Sequence, residues 1–302
     1  MTISYRKATH NDNVATFKVF LESIMDYSQR AGVTGITGGT GPEKVQTLWE
    51  RRRALWEHLT DTCDQYWVAE NEQGEIIGYA RSIVREDHRE LTEYFVKPGE
   101  QSAGVGKGLI AHAFPKDTPH RSIIATTDFR ALARYLKVGV YPFATEFYFE
   151  RTPEPVTFES DLAFEPSNQE EAALQTTAEI DSVILGHRRD ADHIYLMQNR
   201  TLYFYRRNGQ TIGYGYISKE YCGPFALLEK TDFPAVLSHA ETQAHRLGAD
   251  AVGFETPTIN TIVIDHLMKR NYRIEGFITS ILSEKPFGKF DHYLLTSPPF
   301  FL

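Results

Sequence analysis

Three glycines and a lysine stand together in Gln101-Ser-Ala-Gly-Val-Gly-Lys-Gly-Leu109, directly after the strand-like run "LTEYFVKP" and ahead of a short apolar stretch. No acidic side chain interrupts the loop. Such a segment suits an anion. Glycines let consecutive backbone N–H groups turn toward one point, and a helix starting there adds the positive end of its dipole. Two phosphate-binding patterns fail on these residues. A P-loop would need a glycine at Gln101 and a hydroxyl at Gly108. A dinucleotide fingerprint needs G-x-G-x-x-G after the first strand of a β-α-β unit. Gly104-Val-Gly106-Lys-Gly108 comes late in its half of the chain, and no acidic residue is well placed about 20 residues on.

The elements that must position this loop follow from hydrophobic periodicity and turn residues. Strands are expected at 3–8, 65–71, 76–86, 90–97, 121–126 and 143–150. Helices are expected at 13–29, 43–59, 106–114 and 128–138, the first two joined by the glycine-rich insertion "RAGVTGITGGTG" (30–41). The second half repeats the plan without that insertion. "GEIIGYARSIV" from Gly74 and "GQTIGYGYISK" from Gly209 share G-x-x-I-G-Y, each after a strand-like run, so each reads as a β-hairpin turning on Asn and Gly. Upstream, "ISYRKATHNDNVATFKVFLESI" and "LAFEPSNQEEAALQTTAEIDSVI" both read as strand, polar turn and amphipathic helix. Helices at 232–248 and 260–270 and strands at 251–256, 273–283 and 291–296 complete the second copy. A repeat of this length implies two copies of one fold. The segment "ERTPEPVTFES" (150–160), with two prolines, marks the boundary between domains at 1–150 and 156–302. Antiparallel strands followed by β-α-β-α-β predict an α/β class, with a mixed α+β sheet flanked by helices.

Gln101-x-x-Gly104-x-Gly106 satisfies the pattern Q/R-x-x-G-x-G/A, and Val96-Lys97-Pro98 precedes it. Here the chain resembles the GNAT superfamily of N-acetyltransferases. The family's next helix reads N-x-x-A-x-x-F-Y-x-x-x-G-F, and this chain has Asp128, Ala131, Arg134, Tyr135, Gly139 and Val140 at those positions. Alanine, tyrosine and glycine match; aspartate replaces the asparagine, while arginine and valine replace the two phenylalanines. The second copy carries Leu267 where the first has Tyr135, and no Q-x-x-G-x-G follows "GPFALLEK". The resemblance therefore implies two tandem GNAT-like acyl-CoA N-acyltransferase domains, with a degenerate C-terminal copy and chemistry in the first.

The same resemblance implies acetyl-CoA as co-substrate, without metal. Phe95 and Val96 fall by position at a splayed gap beside the fourth strand, where backbone N–H groups meet the acyl carbonyl and pantetheine. Gln101, Ser102, Ala103, Gly104, Val105, Gly106, Lys107 and Gly108 would hold the pyrophosphate, and Asp128 stands at the helix start that contacts the cofactor. Tyr135 is the implied general acid for the departing thiolate, since a phenol of pKa ~10 can protonate it. Glu90 matches the base of GNAT histone acetyltransferases and Glu93 is the reserve. Alternation places the two on opposite faces of one strand, with Glu90 on the face of Val96. The alternative is that both are ordinary solvated carboxylates and that deprotonation runs through water. The acceptor is expected to be a small-molecule amine or a peptide amine. A non-catalytic acyl-CoA-binding sensor and a transferase of a different acyl group are the competing readings.

Composition removes other classes. Net charge is −8 with pI about 5.8, which excludes a broad nucleic-acid footprint. Residues 1–150 carry 18 basic and 20 acidic side chains and residues 151–302 carry 14 and 20. That acidic second half suits either a cationic acceptor or a plain solvated surface. Cys63 and Cys222 are too few and too far apart for a disulfide framework or thiolate metal site, and fit a reducing compartment. The polar N-terminus reads as no signal peptide, and no apolar run approaches the ~20 residues of a membrane span. A cytoplasmic protein is expected, as a monomer whose two copies form a pseudo-dimer or as a homodimer. The histidines of "HRRDADH" (187–193), on an expected loop, and of "HAETQAH" (239–245), on a helix, are spaced wrongly for a shared metal. The arginines of "WERRRALWEHL" (49–59) read as a solvated face or as a contact to an acidic group. The 30–41 insertion reads as a mobile lid or as a disordered loop.

Overall fold

The computed structural model describes residues 2–33, 42–101, 104–167 and 170–302. The chain forms two compact units: Met1–Ile123 with Asp128–Val140, and Ile124–Thr127 with Tyr141–Leu302.

In the first unit, β1 (Ser4–Lys7) is followed by α1 (Asn13–Ala31) and α2 (Pro42–Thr62). Then come β2 (Cys63–Glu70), β3 (Ile76–Arg85), β4 (His88–Val96), α3 (Val105–Ala113), β5 (His120–Thr126, which belongs to this unit as far as Ile123) and α4 (Phe129–Lys137). Strands β1 to β4 pair antiparallel in sequence order, and β5 joins β4 in parallel. The β2–β3 hairpin turns where Asn71 Oδ1 accepts from the backbone N–H groups of Gln73 and Glu75. One face of the sheet is covered by the apolar stripes of α1 and α2, where Phe17 and Trp56 are fully buried and meet edge to face at 5.0 Å. The other face takes α3: a Cβ on Gly78 of β3 would stand 3.0 Å from Leu109 and 3.2 Å from Val105.

The second unit begins earlier than the proline-bearing segment at 150–160 suggests. Strand β6 (Tyr141–Arg151) pairs antiparallel with two later strands, β11 (Val252–Pro257) and β12 (Arg273–Ser283), and lies between them. Ladder hydrogen bonds, invisible to composition, assign it there. A five-stranded sheet holds β7 (Ala163–Pro166), β8 (Thr201–Arg207), β9 (Gln210–Ile217), β10 (Cys222–Leu227) and β13 (Tyr293–Leu294) in the order β13-β10-β9-β8-β7. The β8–β9 hairpin turns on Asn208 and Gly209, both in the left-handed region at φ 51° and 80°. The helices are α5 (Glu170–Ile184), α6 (Asp190–Asn199), α7 (Phe233–Arg246) and α8 (Thr261–Lys269).

Helix α6 takes up most of the stretch read as a loop. Asp190 and Asp192 in its first turn complement the helix dipole. His193 is buried on it, 2.8 Å from Asp181 and 2.8 Å from the Tyr216 hydroxyl. Asp181 also binds Arg189 at 2.9 Å, and Arg189 donates to the hydroxyls of Tyr214 and Tyr293. This buried cluster uses its charges internally. Among the described residues no group of three or more His, Cys, Asp or Glu could hold a metal ion, and no helix is long and apolar enough to cross a membrane.

Candidate active site

Strand β4 sets the geometry. It pairs with β5 only over His88–Leu91 and His120–Ile123, so from Thr92 to Val96 its edge on that side has no β5 partner. The parting begins at a β-bulge. Arg81 of β3 faces Glu93 while its neighbour Ser82 faces Leu91, which leaves Thr92 as the extra residue, its hydroxyl donating to the Arg81 carbonyl. Backbone amide groups beyond the bulge are thus available to something other than a strand. Phe95 and Val96 lie on this stretch. Phe95 stacks on Tyr79 at 5.7 Å, and the Val96 carbonyl accepts from Ser23 and from Gln101.

The bulge also corrects the placement of the two glutamates. Directly paired residues share a face. Glu90 pairs with Ile83 and Glu93 with Arg81, two apart on β3, so both carboxylates lie on the same face. Val96 pairs with Gly78 and belongs to the opposite face, so Glu90 does not share it. Strict alternation fails because one inserted residue shifts it by one. Neither glutamate is an ordinary solvated carboxylate: Glu90 is 4% exposed and Glu93 2%. Glu93 binds Arg81 at 3.1 Å and accepts from the Tyr79 hydroxyl at 2.9 Å. Burial pushes its carboxyl above the usual range, while Arg81 and the Tyr79 hydrogen bond oppose that shift. Arg81 also lies 4.0 Å over the Tyr66 ring and donates to the Trp56 carbonyl.

On the other face, each glycine of the loop has its own reason. Gly104 caps α3 at φ 87° with open space around its Cβ position, a conformation that favours glycine. A Cβ on Gly106 would lie 2.1 Å from the Tyr94 hydroxyl and 3.3 Å from Arg134 Nε. A Cβ on Gly108 would lie 2.2 Å from the ring of Tyr5. Tyr5 in turn donates to the Val105 carbonyl at 3.3 Å. Two tyrosines therefore seat the first turn of α3, where the Lys107 N–H donates to the Gly104 carbonyl at 2.9 Å and the Val105 and Gly106 N–H groups precede the first intrahelical acceptor. Val105 is buried there and Lys107 is exposed. Ser102 and Ala103 lie outside the described residues, as does most of the insertion read as a lid, at 34–41.

Tyr135 of α4 is buried, and its ring meets Tyr94 edge-on at 5.8 Å. Burial, then the neighbouring Tyr94 and Asp128, hold its phenol above the ordinary range. Tyr94 is pushed up to about 12 by burial, which Arg134 partly offsets. The Tyr94 hydroxyl has no hydrogen-bond partner among the described residues. Both phenols stay protonated at neutral pH. Reading the sequence missed Tyr94, and the signal was its place two residues before Val96, on the same face as the loop.

Asp128 caps α4, accepting from the Arg130 N–H at 2.9 Å, and binds the Arg30 guanidinium at 2.8 Å. Burial works against its charge, but hydrogen bonds from Arg130 and Arg30 prevail and lower it to about 2. Arg130 also donates to Gln101, which ties α4 to the end of β4. Asp128 thus acts on the loop through Arg130. In the second unit, Leu267 stands on α8, fully buried in an apolar cluster with Phe254 and Tyr272. No glycine loop follows β10; α7 starts there with Pro234 in its first turn. Of the arginines on α2, Arg51 and Arg53 are exposed, and Arg53 pairs with Glu57 at 2.6 Å.

Residues 31–139 match the family model described as the acetyltransferase (GNAT) family. Solved structures match the chain across both units. A proposed acetyltransferase from Pyrococcus horikoshii aligns with TM-score 0.70 at 15% identity, over 96% of this chain and 92% of its own. A GCN5-related N-acetyltransferase from Sphaerobacter thermophilus gives 0.61 at 12%, over 94% and 96%. A tandem GNAT protein from the clavulanic acid biosynthesis pathway gives 0.60 at 11%, over 94% and 99%. Among curated proteins no sequence matches the chain.

Proposed function

Because the chain carries a GNAT-family domain within a tandem GNAT fold, we propose that it transfers an acetyl group from acetyl-CoA to a primary amine, with the reaction in the first unit. The observation that carries this reading is the free edge of β4 from Thr92 to Val96, with Tyr94 and Tyr135 meeting beside the glycine-led start of α3. The residues fit an acyl-CoA. Gly104 leaves the helix entry open, the α3 terminus offers N–H groups to an anion, and Tyr94 holds a buried hydroxyl with no partner among the described residues. Bound acyl-CoA supplies the thioester.

This chain's own groups then have separate tasks. The unpaired β4 amides polarise the acyl carbonyl, which is where charge develops when the amine adds. The gap holds both reactants at one place, and that proximity lowers the barrier further. Tyr135 would supply the proton that the departing sulfur needs as the C–S bond breaks, and its phenolate would recover a proton from water. Glu93 is committed to Arg81 and Tyr79, and Glu90 lies on the same face away from Tyr94, so the amine hands its proton to water.

The test is acetyl-CoA-dependent acetylation across a panel of small amines, peptide N-termini and lysine peptides. Tyr135→Phe should lower kcat by ~10²–10⁴, the range for losing a positioned acid, with acetyl-CoA affinity kept. Tight binding without transfer to any amine would make the chain a sensor. Transfer unchanged in Tyr135→Phe would move the acid role to Tyr94.

A further inference from the structure

The two units treat the same gap in different ways. Strands β10 and β11 occupy the places in the second unit that β4 and β5 hold in the first, since each pair follows the hairpin bearing G-x-x-I-G-Y. In the first unit β4 has no β5 partner beyond Leu91. In the second, the segment 292–297 fills the corresponding space. Phe225 and Ala226 of β10 pair antiparallel with Leu294 and Tyr293. The Leu227 N–H donates to the His292 carbonyl at 3.0 Å, and the Ser297 N–H donates to the Cys222 carbonyl at 3.2 Å. On its other side the segment meets β11, where the Leu295 N–H donates to the Glu255 carbonyl at 3.1 Å.

We infer that the segment 292–297 is a built-in occupant of the second unit's acyl-CoA gap, so that the chain binds one acyl-CoA and not two. The inference rests on reading the first unit's gap as the acyl-CoA site. Pantetheine is an extended arm with two amide groups, and it needs free backbone groups on a strand edge. A peptide strand satisfies those same groups with more hydrogen bonds and no loss of translational freedom. The seating is close: a Cβ on Gly223 would stand 2.3 Å from the Leu295 carbonyl oxygen, so β10 carries glycine at the point of contact. Tyr293, Leu294 and Leu295 are at most 1% exposed. Arg200 clamps the end of the segment, donating to the Ser297 carbonyl at 2.8 Å and to the Cys222 carbonyl at 3.2 Å. Leaving the gap would strip these groups of partners and expose three apolar side chains. The segment is a permanent filler of that space.

Hydrogen–deuterium exchange on the full chain tests this, free and with saturating acetyl-CoA, together with a calorimetric count of bound acetyl-CoA. The Leu227, Leu295 and Ser297 amides should be protected ~1000-fold or more in both states, with one equivalent bound. Two equivalents, rapid exchange of these amides in the free chain, or protection that collapses on adding acetyl-CoA would each overturn the inference. Failure of the first-unit reading looks different: no acetyl-CoA binds and exchange at Thr92–Val96 is unmoved. The 292–297 amides would still be protected, which supports the filled gap while removing acyl transfer.

Discussion

Gly106→Ala should damage the candidate site through one atom, and removing that atom should repair it. The added Cβ would sit 2.1 Å from the Tyr94 hydroxyl oxygen but 3.1 Å from the ring carbon that bears it. With the hydroxyl present, the Tyr94 ring or the start of α3 must move, and overpacking of this kind costs about 2 kcal/mol. Tyr94→Phe alone should be close to neutral, since the lost hydroxyl has no hydrogen-bond partner among the described residues. In the Tyr94→Phe background the alanine needs a shift of only a few tenths of an ångström, so its cost should fall below about 0.5 kcal/mol. The cycle therefore predicts a coupling of ~1.5 kcal/mol, about tenfold in acetyl-CoA affinity wherever the strain is relieved by moving the α3 terminus. Calorimetric unfolding of all four chains and titration with acetyl-CoA measure the two halves of the effect. Additive substitutions, or a silent Gly106→Ala, would refute the close approach of Tyr94. Gly104→Ala is the control: its strain comes from φ 87°, and Tyr94→Phe should not rescue it.

Two further outcomes are expected, each from a carboxylate whose charge the fold controls. Asp128→Ala should cost ~1–2 kcal/mol as α4 loses its cap. Asp128 is depressed to about 2, so its contribution is complete above the ordinary 3.8 and is lost as pH falls through 2. Melting curves of parent and variant should therefore converge near pH 2; a constant gap would count against the Arg130 and Arg30 contacts. Glu146 of β6 and Glu255 of β11 are both buried in the second unit. Burial raises each, and the Glu146 carboxylate raises Glu255 further. A carboxyl raised by folding binds more protons folded than unfolded, so stability falls as pH rises from the ordinary range through the raised value. Each unit of that rise is worth about 1.4 kcal/mol. Glu146→Gln should flatten the decline in Tm between pH 5 and 8, and parallel curves for parent and variant would contradict the pairing.

The sequence by itself determined the elements apart from α6, the repeat and the loop. Periodicity locates α1, α4 and the two hairpins because each is held by contacts among near neighbours in sequence. G-x-x-I-G-Y exposes the second copy, and the replacement of Tyr135 by Leu267 marks which copy keeps a phenol. Tertiary structure alone decided the rest. An extra residue at Thr92 turns Glu90 and Glu93 onto one buried face, and a bulge depends on how β3 and β4 pair, which no local pattern records. Ladder pairing likewise puts β6 with strands more than a hundred residues downstream, past the prolines that suggested a boundary. Gly106 and Gly108 read as an open cradle until Tyr94 and Tyr5 are seen against them. The segment 292–297 looks like a plain final strand, and only its position between β10 and β11 reveals what it fills. Contacts between residues far apart in sequence carry that information, because burial and backbone hydrogen bonds are satisfied in space.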